Sequence, residues 1–270
     1  MRDVDGGLYG TGMMEKKRIC EAFGRAAAAY DSLALFQRRV CERMLCLLPE
    51  WLPHGFSPEN ILDGGCGTGF GAQCLRSFWP DARLTGCDLS AEMVERMRQK
   101  GFAAVCGDLE AMTFGDGTFD FVWSSLALQW CHPQTVFREL RRVLAQNGIL
   151  YFSTLAPGTL CEIAHAFDGV DTSRRVLSFS RPDEQRRLME DAGFTGIRLI
   201  HETHRMYYPD VRSALESVRG IGAGYSAGKR RAMMGKSAWK TAQQRYEALR
   251  EPQGLPVTYE LVIGFGVAGA

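Results

Sequence analysis

The sequence predicts an α/β fold with a largely parallel sheet, and three observations predict it. Short apolar runs alternate with helical patterns along the middle of the chain, the arrangement that builds βαβ units with right-handed crossovers. The first run, Asn60-Ile-Leu-Asp63, breaks into a turn holding Gly64, Gly65, Gly67 and Gly69 and then enters a helical stretch. Three acids, Asp63, Asp88 and Asp108, each close such a run. The carboxyl ends of parallel strands form the edge where open α/β sheets bind ligands, so the three acids converge on one crevice.

Residues 1–14 are glycine-rich and polar and are expected to form a flexible leader. Residues 15–48 show helical spacing at Leu33, Phe36, Val40, Met44 and Leu47, closed by Pro49 and Pro53. They include Ala22-Phe-Gly-Arg-Ala-Ala-Ala-Ala-Tyr30 and Gln37. Residues 15–58 are read as a helical lid over the crevice, the plainer alternative being a small-residue packing helix. The core, residues 59–155, then carries strands at 60–63, 83–88, 103–107, 119–125 and 148–154. The helix at 133–144 aligns Val136, Phe137, Leu140, Val143 and Leu144 on one face, stops at Gln146-Asn147-Gly148, and leaves Arg138, Arg141 and Arg142 to solvent.

Beyond Thr154, residues 161–167 form a short helix. Residues 183–192 form another, capped near Ser180, with Pro182 in its first turn and Gly193 behind it. A sixth strand covers 196–207, and a helical insert occupies about 209–250. The run from Val257 to Val267 is rich in β-branched and aromatic residues and has no crossover helix behind it, so it adds to the sheet antiparallel.

Composition narrows the class. The 270 residues are 46% apolar and 23% charged, values of an ordinary globular chain long enough for a sizeable core. No apolar run approaches the roughly 18 to 20 residues of a bilayer span, and no signal-peptide pattern opens the chain, so a cytoplasmic location is expected. The nine cysteines are scattered without a Cys-x-x-Cys pair, which fits reduced thiols, with no metal expected. Net charge is +1, yet residues 174–250 hold 16 Lys/Arg against 8 Asp/Glu, a surplus of eight. That surplus reads either as solvated helix faces or as a surface for an acidic partner. Nucleic acid is disfavoured, because no aromatic residues interleave the basic ones and no known module is present.

Two cofactor classes use a strand, a glycine turn and an acid after the second strand. A dinucleotide places its pyrophosphate at the helix N-terminus, where Asp63 would repel it. S-adenosylmethionine carries an ammonium and a sulfonium, which a carboxylate attracts. The charge at Asp63 therefore favours S-adenosylmethionine. Asp88 can accept both ribose hydroxyls, and Asp108 can accept from the adenine exocyclic amine while the Leu109 amide donates to the ring.

With these features residues 60–154 resemble the class I S-adenosylmethionine-dependent methyltransferases. That resemblance implies a Rossmann-like seven-stranded sheet of six parallel strands and one antiparallel strand. Gly64 departs from it, standing where that family has an apolar residue. Five stretches carry a narrower resemblance: the Ala22–Tyr30 segment with Gln37; Ser124-Ser-Leu-Ala-Leu-Gln-Trp130; Phe152-Ser-Thr-Leu155 with Gly158-Thr-Leu160; Arg219-Gly-Ile-Gly-Ala223; and Leu255-Pro-Val-Thr-Tyr259. Together they look like the malonyl-acyl carrier protein O-methyltransferases of biotin synthesis. The resemblance implies a donor site of Gln37, Asp63, Gly65, Gly67, Gly69, Asp88, Leu89, Asp108, Leu109 and Ser125. It implies methylation of the free carboxylate of a malonyl thioester on an acidic carrier protein, an early step toward pimelate.

That carboxylate is already ionised near pH 7, so no general base is required, and none is evident in the sequence. Tyr30 and Trp130 are candidate walls of a dry acceptor pocket. Arg175 is a candidate to hold the second carboxylate oxygen, although the family's His-x-Asn-x-Phe pattern stands here as Arg175-Val-Leu-Ser-Phe179. Three rival readings remain open: a quinone or polyketide precursor methyltransferase, a protein-arginine methyltransferase of respiratory-complex assembly, and a cofactor-binding scaffold without turnover.

Overall fold

The structure is a computed structural model and describes residues 13–27, 30, 34–170, 179–220 and 235–269. Seven strands form one sheet: β1 (Asn60–Gly64), β2 (Arg83–Asp88), β3 (Ala103–Cys106), β4 (Phe119–Ser125), β5 (Leu144–Leu155), β6 (Phe194–Tyr208) and β7 (Leu255–Ala268). Their order is β3-β2-β1-β4-β5-β7-β6. The pairs among β1 to β5 are parallel, and β7 enters antiparallel between β5 and β6. The order in which strands are added reverses between β1 and β4, the topological switch point at which this class of sheet opens a crevice.

Strand alternation assigns the two faces. Ile61, Phe121, Trp123 and Tyr151 join one buried cluster, and Leu62, Val122, Leu150 and Phe152, one residue out of phase, join the other. On the first face lie α2 (Leu35–Trp51) and α3 (Phe70–Phe78), packed through Phe36, Val40, Met44, Leu48, Ala72 and Leu75. The α2 helix is tied to the sheet at several points. Phe36 stacks on Tyr259 at 3.9 Å between centroids, the Tyr151 hydroxyl donates to the Met44 carbonyl at 2.8 Å, and Arg43 pairs with Glu202 at 2.6 Å. The second face is covered by α5 (Pro133–Val143) and by α7 (Pro182–Asp191) through Met189. Between β2 and β3 comes α4 (Ala91–Gln99), after β5 comes α6 (Cys161–Phe167), and after β6 come α8 (Val211–Gly220) and α9 (Lys236–Glu247).

Several boundaries depart from the sequence reading. The expected stop at Pro49 does not occur: α2 runs through it to Trp51, because proline in the last turn removes one bond without breaking the earlier ones. Leu48 rather than Leu47 is fully buried in that helix. Strand β5 begins at Leu144, ahead of Gly148, with an irregular register toward β4 and Asn147 at φ 62°. The residue before α7 is Arg181, which makes no side-chain cap bond, and the Ser180 hydroxyl is buried without a partner among the described residues. Arg142 is not simply solvated. It pairs with Glu139 and Asp116 and donates to the Met112 and Phe114 carbonyls, fixing the loop that follows β3. Helix α1 (Met13–Ala26) lies in the expected helical region and starts two residues earlier than read, within the end of the expected leader. No described helix is long and apolar enough to cross a membrane.

Candidate functional site

The glycine turn after β1 is held by its neighbour: the Gly65 and Cys66 amides both donate to the Cys87 carbonyl, at 2.7 and 3.2 Å. Gly65 has φ 72°, and a Cβ there would lie 2.1 Å from the Ala127 methyl, so glycine is required for both conformation and space. Gly67, at φ 51°, places its amide 2.9 Å from Asp88 Oδ2. Gly69 leads into α3 from a left-handed conformation. Gly64, where an apolar residue is usual, is the paired end of β1 opposite Cys87.

Asp88 takes the Gly67 amide on one oxygen and the Ser90 amide, also at 2.9 Å, on the other. Burial raises its carboxyl above the ordinary range, and these amides pull it partway back. Asp63 is 2% exposed, and its Oδ2 has no hydrogen-bond partner among the described residues. Burial, reinforced by the charge of Asp88, pushes its carboxyl up to about 7. Asp108 accepts the Glu110 amide on Oδ1 at 3.0 Å.

These residues line two cavities that share Tyr30, Gly65, Gly67 and Ser125. The larger, about 710 Å³, holds Asp88, Leu89, Asp108, Leu109 and Trp130. The smaller, about 470 Å³, holds Gln37, Asp63 and Trp123. Ser125 ends β4, and the next residue, Leu126, adopts φ 51° while its amide donates to the Ser153 carbonyl and hydroxyl, both at 3.1 Å. That strained turn carries Ala127 against Gly65 and leads into the 3₁₀ turn Leu128–Trp130. Of the residues singled out from sequence, Arg175 lies outside the described residues. Gly69 packs against Met97 beside the turn, and all the others line one or both cavities.

Several lining residues carry no clear signal in the sequence. Helix α1 roofs the larger cavity through Lys16, Ile19 and Phe23. Lys16 Nζ lies 2.6 Å from Asp108 Oδ2 and 2.9 Å from Glu110 Oε1. Burial works against its charge, yet the bonds to Asp108 and Glu110 prevail and hold the ammonium above its ordinary value. Cys20 donates to the Leu89 carbonyl at 3.3 Å, and Phe23 meets Trp130 edge-on with ring centroids 5.4 Å apart. Arg38 and Cys41 line the smaller cavity. The only sequence signal for Arg38 is its adjacency to Gln37, and Glu110 offers only its place two residues after Asp108.

A glycine-floored crevice ringed by strand-tip carboxylates, on a sheet with its penultimate position antiparallel, defines a class I methyltransferase. A family model described as "Methyltransferase domain" matches residues 62–152. The YcgJ protein of Bacillus subtilis shares the fold, with a TM-score of 0.58 at 18% identity over 84% of this chain and 98% of that one. Sequence carries the assignment further. The chain belongs to the malonyl-[acyl-carrier protein] O-methyltransferase family: it is 44% identical to the protein so named from Herminiimonas arsenicoxydans, over 92% of this chain and 95% of that one. It is also 35% identical, over 92% of its length, to 49% of the biotin biosynthesis bifunctional protein BioHC of Cellvibrio japonicus.

Proposed function

We propose that this enzyme transfers a methyl group from S-adenosylmethionine to the free carboxylate of a malonyl thioester on acyl carrier protein, forming a methyl ester early in biotin synthesis. The observation that carries the reading is the buried, unpartnered Asp63 Oδ2 in the smaller of two adjoining cavities over a glycine floor. An uncompensated buried carboxylate is costly, and a cationic ligand relieves that cost. The relatives' names supply the acceptor.

The donor's adenosyl part fits the larger cavity, with Asp88 toward the ribose hydroxyls, Asp108 and the Leu109 amide toward adenine, and Leu89 against the ring. Its amino-acid part fits the smaller cavity, with Asp63 and Gln37 Oε1 toward the ammonium. S-adenosylmethionine supplies an electrophilic methyl on a positively charged sulfur. The chain's part is to orient the acceptor and exclude water. Phe23, Tyr30 and Trp130 form an aromatic wall beside the shared residues, and a dry wall favours a step in which opposite charges vanish. No general base is needed for a carboxylate nucleophile. Arg175 remains the proposed contact for its second oxygen.

The test offers labelled S-adenosylmethionine with malonyl-acyl carrier protein, malonyl-coenzyme A and succinyl-acyl carrier protein in parallel. Base-labile methyl ester on the malonyl-carrier protein is expected. Label on none of the three overturns the proposal.

A further inference from the structure

We propose that Cys20 and Cys106 form a thiol modification site: a low-molecular-weight disulfide oxidises them to a bridge that fastens α1 over the larger cavity. The two thiols come from elements far apart in the chain and share one acceptor. Cys20, on α1, donates to the Leu89 carbonyl at 3.3 Å, and Cys106, the last residue of β3, donates to the same oxygen at 3.5 Å. The register explains the meeting, since Cys106 lies opposite Asp88 on the neighbouring strand and Leu89 follows Asp88. Both thiols can be reached: Cys106 is exposed and Cys20 half-buried. Cys87 is one residue out of phase with this pair, so it faces the other side of the sheet, where it is buried in the second cluster.

Burial, and after it the charge of Glu92, raises the Cys20 thiol above its ordinary range, so the exposed Cys106 meets the oxidant first. Its thiolate attacks the small disulfide, forms a mixed disulfide and expels one small thiolate. The Cys20 sulfur then attacks the Cys106 sulfur and expels the second. Two protein thiols become one disulfide, one small disulfide becomes two thiols, and each proton lost by a cysteine is taken up by an expelled thiolate. A disulfide holds its sulfurs about 2.0 Å apart, so its formation draws α1 toward the tip of β3. Helix α1 lays Lys16, Ile19 and Phe23 along the larger cavity, and the shared Leu89 lines it as well. The bridge therefore closes that cavity with a covalent fastening, and a bound donor is held inside. This last consequence rests on the donor assignment above; the bridge itself does not.

The test incubates the full chain with glutathione disulfide at about pH 8, where thiolates are available, and follows three readouts. These are non-reducing peptide mapping, amide exchange over residues 13–26 and release of labelled S-adenosylmethionine. A bridged Cys20–Cys106 peptide is expected, with exchange over 13–26 and donor release each slowed by about tenfold and both restored by dithiothreitol. Cys106→Ser should match the reduced wild type in exchange and release and should lose the response to the oxidant. Glutathione retained on Cys106 without a bridge overturns the proposal, and so does a bridge that leaves exchange over 13–26 or donor release unaltered. A reduced protein that takes up no S-adenosylmethionine sinks the donor assignment instead, and the peptide map and amide exchange then decide the thiol pair.

Discussion

Asp63 is the residue at which the free and liganded proteins want opposite things. Its carboxyl rises from 3.8 to about 7 on folding, so between those values the folded chain holds a proton the unfolded chain has lost. Stability of the donor-free protein therefore falls as pH rises through that window, by on the order of 1.4 kcal/mol for each pH unit crossed. Asp63→Asn is expected to raise the melting temperature of the donor-free protein at pH 8 and to leave it nearly unchanged at pH 4, with differential scanning calorimetry as the measurement. The same titration governs ligand uptake. Donor affinity in the wild type should decline below pH 7, approaching tenfold per pH unit, because the ammonium must meet an ionised Asp63; a flat profile from pH 7.5 to 5.5 by titration calorimetry removes it from the site.

At the scale of elements, α1 reaches the crevice from outside the sheet, through a few side chains. Its grip on the crevice is Ile19, Cys20, Phe23 and the Lys16 pair, the last with side chains 19% and 30% exposed. A pair that accessible is worth on the order of 1 kcal/mol. Lys16→Ala should therefore speed amide exchange across residues 13–26 by about fivefold while leaving the sheet's exchange unchanged. Equal protection in the variant shows that the aromatic contacts alone seat the helix. The acids Asp63, Asp88 and Asp108 are legible in sequence because an acid after an apolar run is a local pattern. Lys16 and Arg38 are not, since both sit on helices that fold back over the crevice to meet residues distant in sequence, and no periodicity records that. Arg142 is hidden for the same reason: the carbonyls of Met112 and Phe114 lie about thirty residues away along the chain. The ends of α2 and β5 differ from expectation where a turn residue is not an absolute stop: Pro49 sits within a last turn and Asn147 within an irregular strand edge.

For the whole molecule, several of the bases in residues 174–250 form ion pairs on the surface, most of them with acids of the same segment, so the surplus itself remains. Arg187 pairs with Asp183, Arg212 with Glu216, Arg205 with Glu251 and Arg250 with Glu247, while Arg245 donates to the Asp168 carbonyl. Among the described residues Lys236 and Lys240 on α9 stay exposed, and Arg230 and Arg231 lie outside them. If these lysines steer an acidic carrier protein, Lys236→Glu with Lys240→Glu should raise the acceptor KM severalfold at low ionic strength, with the difference fading near 0.5 M salt as charges are screened. An unchanged KM at low salt assigns them to solubility. The architecture around them is readable from alternation and from the missing crossover before β7, and its order, with β7 between β5 and β6, completes the sheet.

That order also constrains how the chain is made. β7 meets β5 across more than a hundred residues and, among the described residues, is the sole neighbour of β6. During translation β6 emerges with neither edge satisfied, and it stays an open ribbon until Leu255–Ala268 has cleared the ribosome. The nascent protein thus passes through an interval of synthesis exposed to self-association, its zippering postponed until that final ribbon is free to slide between the other two.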